Sequence, residues 1–371
     1  MREEYIKKAV KLRHTLHMHP ELSGHEHETM NTLIRFISDN TSLYIEKRDG
    51  WFYALKECPY PKEGAIAFRA DMDALPINEG SGLSYASVNA GVSHKCGHDG
   101  HCAALCAFAL ALDGMEVTRS VYLIFQPAEE TGLGAAVCAP LLREKSITEV
   151  YAFHNLGGYE EGAIIYRRGL TQPASEGLTL RFSGKTSHAS EPENGKNPAE
   201  AISRLALYTK TLLNEAHAGI FMCTVAGIKV GNGDFGISPG RGEIKLTLRA
   251  EYESELISAK ERLINKAQEF CKADGLSLEH ESSDCFPETK NDAGCLEKVI
   301  KAAAALGLSA REMDRMWLAS EDFGNYTKVC PGAIFYIGNG TDYPALHTAE
   351  YDFNDRIIPA AAEMFIKLSE M

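Results

Sequence analysis

A chain of 371 residues exceeds the size at which a single hydrophobic core usually stops growing, so two domains are expected. Hydrophobic residues make up 44% and charged residues 24%, the balance of a globular rather than a disordered protein. A formal net charge of −13 argues against the clustered Lys and Arg of a nucleic-acid-binding surface, and no apolar run approaches the length that spans a bilayer.

The N-terminal segment is charged and amphipathic, without the apolar core or cleavage site of a secretory signal, which points to a cytoplasmic protein. Its spacing predicts a helix over 3–18, a turn at HPELSGHE and a second helix near 26–39. A hairpin follows in YIEKRDGWFYALKE, with Asp49-Gly50 as its turn. The runs 64–71, 120–127 and 148–155 are apolar and of strand length, with a buried helix over 101–113 and one helix in GAAVCAPLLREK between them. This alternation implies a mostly parallel sheet covered on both faces.

The middle third has a different rhythm. Strand 176–184, a helix over 198–215, strands 221–231 and 242–252, a helix over 254–274 and strand 276–282 give the order βαββαβ of a ferredoxin-like unit. A complete small fold inside a larger one reads as an insertion, with domain parts at 1–173, 174–284 and 285–371. Helix 292–306, strand 332–338 and a C-terminal helix over 355–370 return to the first sheet. The ten cysteines are scattered, several of them inside apolar stretches, and are expected to be reduced thiols.

In open α/β sheets ligands collect at the carboxyl ends of strands. Asp71 and Asp73 close one such strand in RADMDALP, Glu129 and Glu130 follow another, His154 ends a third, and His347 lies beyond the last. HKCGHDGH (94–101) opens a helix and sets Cys96 two residues from His98, with Gly97 allowing a tight turn. One thiol, several imidazoles and several carboxylates at one sheet edge form the donor set of a borderline-soft divalent metal. Taken singly, each has an ordinary structural explanation. The absence of paired CxxC spacing disfavours a closed structural zinc site. The five histidines between His14 and His27 follow a helix and its turn, and read as structural or peripheral.

HPELSGHE, RADMDALP, CGHDGH, FQPAEE, the His after the next strand, SGKTSHAS, SEDFG and LHTAEYDF occur in that order over essentially the whole chain. In these the sequence resembles the aminoacylase-type metallopeptidases, in the branch of N-acyl-amino-acid amidohydrolases, hippurate hydrolases and indole-acetyl-amino-acid hydrolases. The resemblance implies a zinc-aminopeptidase-like α/β catalytic domain carrying an inserted ferredoxin-like lid that also makes a homodimer contact. It implies two divalent metal ions per subunit, zinc or manganese, with cobalt and nickel compatible with the same donors. Cys96 would be shared by the two ions, with His98, Glu130, His154 and His347 as the other ligands. Glu129 would be the general base, Asp73 a bracing carboxylate, and His188 a residue reaching the active site of the partner subunit. Glu129 and Glu130, as neighbours on an extended segment, would point apart. Arg249 stands where relatives often carry an Arg that meets a substrate carboxylate; a surface strand residue is the competing reading.

The expected partner is a small-molecule amide, and neither nucleic acid nor membrane is expected. Exopeptidase action on dipeptides is a second enzymatic reading, and a non-catalytic binding protein of this fold would be expected to have lost Glu129 or several ligands. The chain departs from relatives at Gly236, where an Asn is usual, and at Lys95 and Thr348; these bear on the substrate and leave the metal ligands and base in place.

Overall fold

The computed structural model describes residues 1–61 and 63–371, which form two compact units. The first comprises Met1–Thr171, Thr289–Met316 and Glu321–Met371, and the second Gln172–Glu288 and Trp317–Ser320. The segment 317–320 carries no sequence signal of belonging to the second unit.

The first unit is built on eight strands: β1 (Tyr44–Lys47), β2 (Phe52–Lys56), β3 (Ala65–Asp71), β4 (Val121–Gln126), β5 (Ile147–Gly157), β6 (Ile164–Tyr166), β15 (Ala310–Glu312) and β16 (Gly332–Gly340), in the order β1-β2-β4-β3-β5-β16-β6-β15. The central run β4-β3-β5-β16 is parallel, and β1, β2 and β6 add antiparallel pairings around it. In β3, Ile66, Phe68 and Ala70 enter one hydrophobic core while Ala65 and Ala67 enter the other. In β5, Tyr151 and Phe153 divide from Val150 and Ala152 in the same way. Burial on both faces is why these strands read as unbroken apolar runs. Helices α1 (Glu3–Met18), α2 (His27–Asn40), α3 (His98–Asp113), α8 (Ala293–Ala305) and α10 (Ile358–Ser369) line the first core. The second core takes α4 (Gly134–Cys138), α5 (Pro140–Glu144) and α9 (Gly324–Thr327).

The single helix expected in GAAVCAPLLREK is two short ones. Pro140 starts the second, where a missing N–H costs nothing, and its ring cannot continue the first. Short strands β7 (Leu170–Gln172) and β14 (Thr289–Lys290) lie where the chain passes from one unit to the other.

The second unit runs β8 (Ala174–Ser183), α6 (Ala199–Leu213), β10 (Phe221–Val230), β12 (Arg241–Ala250), α7 (Glu253–Asp274) and β13 (Ser277–Phe286). Its antiparallel sheet has the order β10-β12-β8-β13, the ferredoxin-like arrangement, with α6 and α7 packed on Leu178, Leu180, Ile244 and Leu246. A small ladder of β9 (Ser187–His188) and β11 (Ile237–Ser238) completes it. The ten cysteines are free, and only Cys285 and Cys330 are not buried.

Candidate metal centre

The ligand types named from the sequence converge in the first unit, at the carboxyl edge of the parallel strands. β3 and β4 end in register, Asp71 opposite Gln126, and His154 lies near the end of the adjoining β5. Gly97 caps α3 in a left-handed conformation (φ 96°), turning the chain so that Cys96 precedes the helix and His98 begins it. A side chain at Gly97 would place its Cβ 2.5 Å from Asn155 Oδ1, so glycine is required twice over.

Ligand atoms of Cys96, His98 and His154 lie within 4.8 Å of one another, and so do those of Cys96, Glu130 and His347. Cys96 is common to both groups. Its Sγ is 3.4 Å from His154 Nε2, and His347 Nε2 is 3.7 Å from Glu130 Oε1. His347 adopts φ 63°, uncommon for a residue with a side chain. His154 donates from Nδ1 to the Asn155 carbonyl at 2.8 Å. His98 Nδ1 faces the Asp73 carbonyl and Oδ1 at 3.0 and 3.1 Å. Occupied Nδ1 positions fix both rings so that the Nε2 lone pairs turn to the cluster, the arrangement by which imidazoles serve as metal ligands. His98 Nε2 and Glu130 Oε1 are buried without a hydrogen-bond partner among the described residues. Buried polar atoms left without a hydrogen-bond partner beside a thiol, in a mixed S/N/O donor set, fit a divalent cation.

The electrostatics agree. Burial pushes the Cys96 thiol up, and Glu130, Glu129 and Asp71 push it further. Burial and the charges of Glu321, Glu130 and Asp322 hold the Glu129 carboxyl well above the usual range, and burial raises Glu130 to about 7. Burial works to lower His98, but Asp71, Asp73 and Glu130 outweigh it and raise the ring to about 10. All four groups hold protons more tightly than usual, as expected of a buried anionic cluster suited to cations.

Glu129 and Glu130 do not lie on an extended segment. They occupy a turn after β4, in which the Gly132 N–H donates to the Glu129 carbonyl at 2.8 Å and Ala128 adopts φ 50°. The turn, not strand alternation, separates the two carboxylates: Glu130 Oε1 faces His347, while the Asp322 N–H approaches Glu129 Oε1 at 3.4 Å. Asp73 braces this region, with Oδ2 accepting from the Glu130 N–H at 2.9 Å and from Ser23 Oγ at 2.7 Å.

Beneath the cluster lies a network that sequence reasoning left unassigned. Arg69, 1% exposed, donates to Gln126 Oε1 (2.8 Å), Asp71 Oδ2 (2.6 Å), Glu321 Oε1 (3.0 Å) and Asp322 Oδ1 (2.9 Å). His101 joins Asp71 Oδ1 (2.5 Å) to Asn155 Oδ1 (2.6 Å), tying β3 to β5. A charged residue inside an apolar strand was the signal for Arg69, because a buried cation must be paired. Of the N-terminal histidines, His17 is buried between Asp99 Oδ2 (2.8 Å) and Glu79 Oε2 (2.9 Å).

His188 and Arg249 belong to the second unit. His188 is exposed, its Nδ1 2.6 Å from Ser190 Oγ. Arg249 is half-buried and donates to the Leu318 carbonyl, and no carboxylate of the described residues pairs with it. Gly236 has open space where a Cβ would stand. Lys95 is buried, ion-paired with Glu79 and donating to the Tyr351 carbonyl at 2.7 Å, while Thr348 Oγ1 donates to the Ala345 carbonyl at 2.7 Å.

Residues 67–371 match the sequence profile of Peptidase family M20/M25/M40. The hippurate hydrolase of Campylobacter jejuni is 29% identical over 368 residues, covering 97% of this chain and 95% of that protein. An N-acetylcysteine deacetylase of Bacillus subtilis is 26% identical over 365 residues, covering 97% and 95%. A solved Bacillus subtilis structure, described as a dinuclear metal binding peptidase from the M20 family, aligns with a TM-score of 0.83 at 24% identity, covering 99% of this chain and 98% of that one.

Proposed function

This chain belongs to Peptidase family M20/M25/M40, and we propose that it hydrolyses the amide bond of N-acyl amino acids at a pair of divalent metal ions. The observation that carries the reading is the pair of donor groups sharing Cys96, with His98 Nε2 and Glu130 Oε1 buried and without a hydrogen-bond partner among the described residues. Cys96, His98 and His154 would hold one ion, and Cys96, Glu130 and His347 the other. Zinc or manganese suits these donors, and cobalt or nickel would be accepted. The ions, when bound, supply Lewis acidity at the amide carbonyl and make water acidic enough to react near neutral pH.

The chain's own residues do the rest. Glu129, adjacent to the ligand Glu130, takes the proton of the attacking water and returns it to the departing amine; a proton affinity raised by burial suits a group that must do both. Asp73 holds His98 and the Glu130 peptide in place. His188 steadies the developing oxyanion, supplied by a partner subunit. Arg249 grips the substrate carboxylate, a role supported by its half-buried guanidinium, which has no carboxylate partner among the described residues. The protein works as a cytoplasmic homodimer joined through the second unit, where the edge strand β10 exposes Met222, Val225 and Ile228. Among the described residues no helix is long and apolar enough to cross a membrane.

Amine release from acetyl-, benzoyl- and indole-acetyl-amino acids, measured beside a dipeptide panel on the metal-loaded protein, tests the reading. Turnover of the acyl compounds is expected. Cleavage of dipeptides alone would replace it with exopeptidase action.

A further inference from the structure

The HPELSGHE turn reaches the part of the site where Glu129 and Glu130 stand side by side. Its Glu26 is 4% exposed, and its Oε1 accepts from the Ala128 N–H at 2.7 Å. Ala128 immediately precedes Glu129 and Glu130, and its φ of 50° is unfavourable for any residue with a Cβ. Such a conformation persists only where its surroundings over-determine it. Here they do. The Ala128 carbonyl accepts from the Leu133 and Gly134 N–H groups at 3.2 and 3.1 Å, so the residue is held at both ends.

The same N-terminal turn supplies a second hold two residues on. Ser23 Oγ donates to Asp73 Oδ2 at 2.7 Å, and that oxygen accepts from the Glu130 N–H at 2.9 Å. The turn is itself anchored, Leu22 bridging to Ala74 and the Glu21 carbonyl accepting from the Ala74 N–H at 2.8 Å. Two carboxylates, Glu26 and Asp73, thus grip the peptides on either side of Glu129.

We propose that Glu26 is a positioning residue that enforces the left-handed conformation of Ala128 and thereby aims Glu129 at the attacking water and Glu130 at its ion. The assignment rests on the function proposed above for those two glutamates. Glu26 needs only an acceptor oxygen for this work, and a glycine at position 128 would make it dispensable, because glycine adopts positive φ without steric cost.

The test is a set of three full-length variants, Glu26→Gln, Glu26→Leu and Glu26→Leu/Ala128→Gly. Each is measured by Co(II) titration of the metal-free protein and by turnover of the best acyl substrate. Glu26→Gln should stay within about threefold of the parent in both, because an amide oxygen accepts the same bond. Glu26→Leu should lower kcat about tenfold or more, with KM nearly constant, and weaken one of the two Co(II) sites by a similar factor. The added Ala128→Gly should restore most of both. Unchanged kcat and Co(II) affinity in folded Glu26→Leu would overturn the proposal. So would a tenfold loss in Glu26→Gln, which also decides the matter if the leucine variant does not fold. Failure of glycine to rescue a folded Glu26→Leu would reduce Glu26 to a general structural role and overturn it too. If the parent protein itself takes up no Co(II), the metal-site reading fails first and the clamp falls with it.

Discussion

Replacing Arg69 with methionine keeps an unbranched apolar stem and removes the guanidinium that Asp71, Glu321 and Asp322 share. Those carboxylates are 0%, 1% and 0% exposed, so water cannot take over from the guanidinium. Breaking a buried ion pair from one side costs about 3–5 kcal/mol, much of it the penalty of the charge left behind. Arg69→Lys keeps the charge, but one ammonium cannot meet four acceptors arranged around a planar fork, and about 1–3 kcal/mol should still be lost. Urea unfolding of the metal-free protein, followed by circular dichroism, reads this directly. With a slope of about 3 kcal/mol/M, the midpoint of Arg69→Met should fall by about 1 M or more, and that of Arg69→Lys by less.

The pH dependence gives the same experiment a second axis. Burial tends to raise Asp71, but Arg69, His98 and His101 outweigh it and hold the carboxyl well below its usual range. Its folded pKa is therefore below the unfolded one, and in the parent it contributes stability that is present above the unfolded value near 4 and lost as pH falls through the folded value. Without Arg69, burial prevails over more of that balance, so the deficit of the variant should be largest near pH 7 and shrink toward pH 5. A deficit under about 1 kcal/mol, or one that grows as the pH is lowered, would refute the reasoning.

Glu129→Gln should retain both metal ions while losing about 100-fold or more in kcat, the usual contribution of a general base; unchanged turnover at full metal content would remove Glu129 from the proton transfer. Mixing inactive His188→Ala subunits with inactive Glu129→Gln subunits should regenerate activity if His188 acts across a dimer, since some hybrid sites then carry both native residues. No recovery despite demonstrated subunit exchange would place His188 within its own chain or outside the reaction.

Much of the fold is legible where one physical rule acts over enough residues to show. The doubly buried strands stand out as apolar runs, and the ferredoxin-like order follows from strand and helix periods in the second unit. Strands β6 and β15, of three residues each, are too short to display any period. Pro140 was a visible signal that one helix would become two. At the site, the metal-binding residue types could be gathered from strand ends because chain topology brings those ends together. The bracing network could not. Arg69 meets partners 2, 57, 252 and 253 positions away, separations that no local pattern encodes. The turn at Ala128 was likewise hidden, since alanine advertises none of the freedom its φ of 50° demands, and one of its holds, Glu26, lies 102 positions away.

Metal analysis of the purified protein beside its Cys96→Ala and His98→Ala variants tests whether two divalent ions share Cys96. Two ions per chain are expected in the parent, with a deficit in both variants and loss of amide hydrolysis with the ions. Full occupancy in both variants would contradict that sharing.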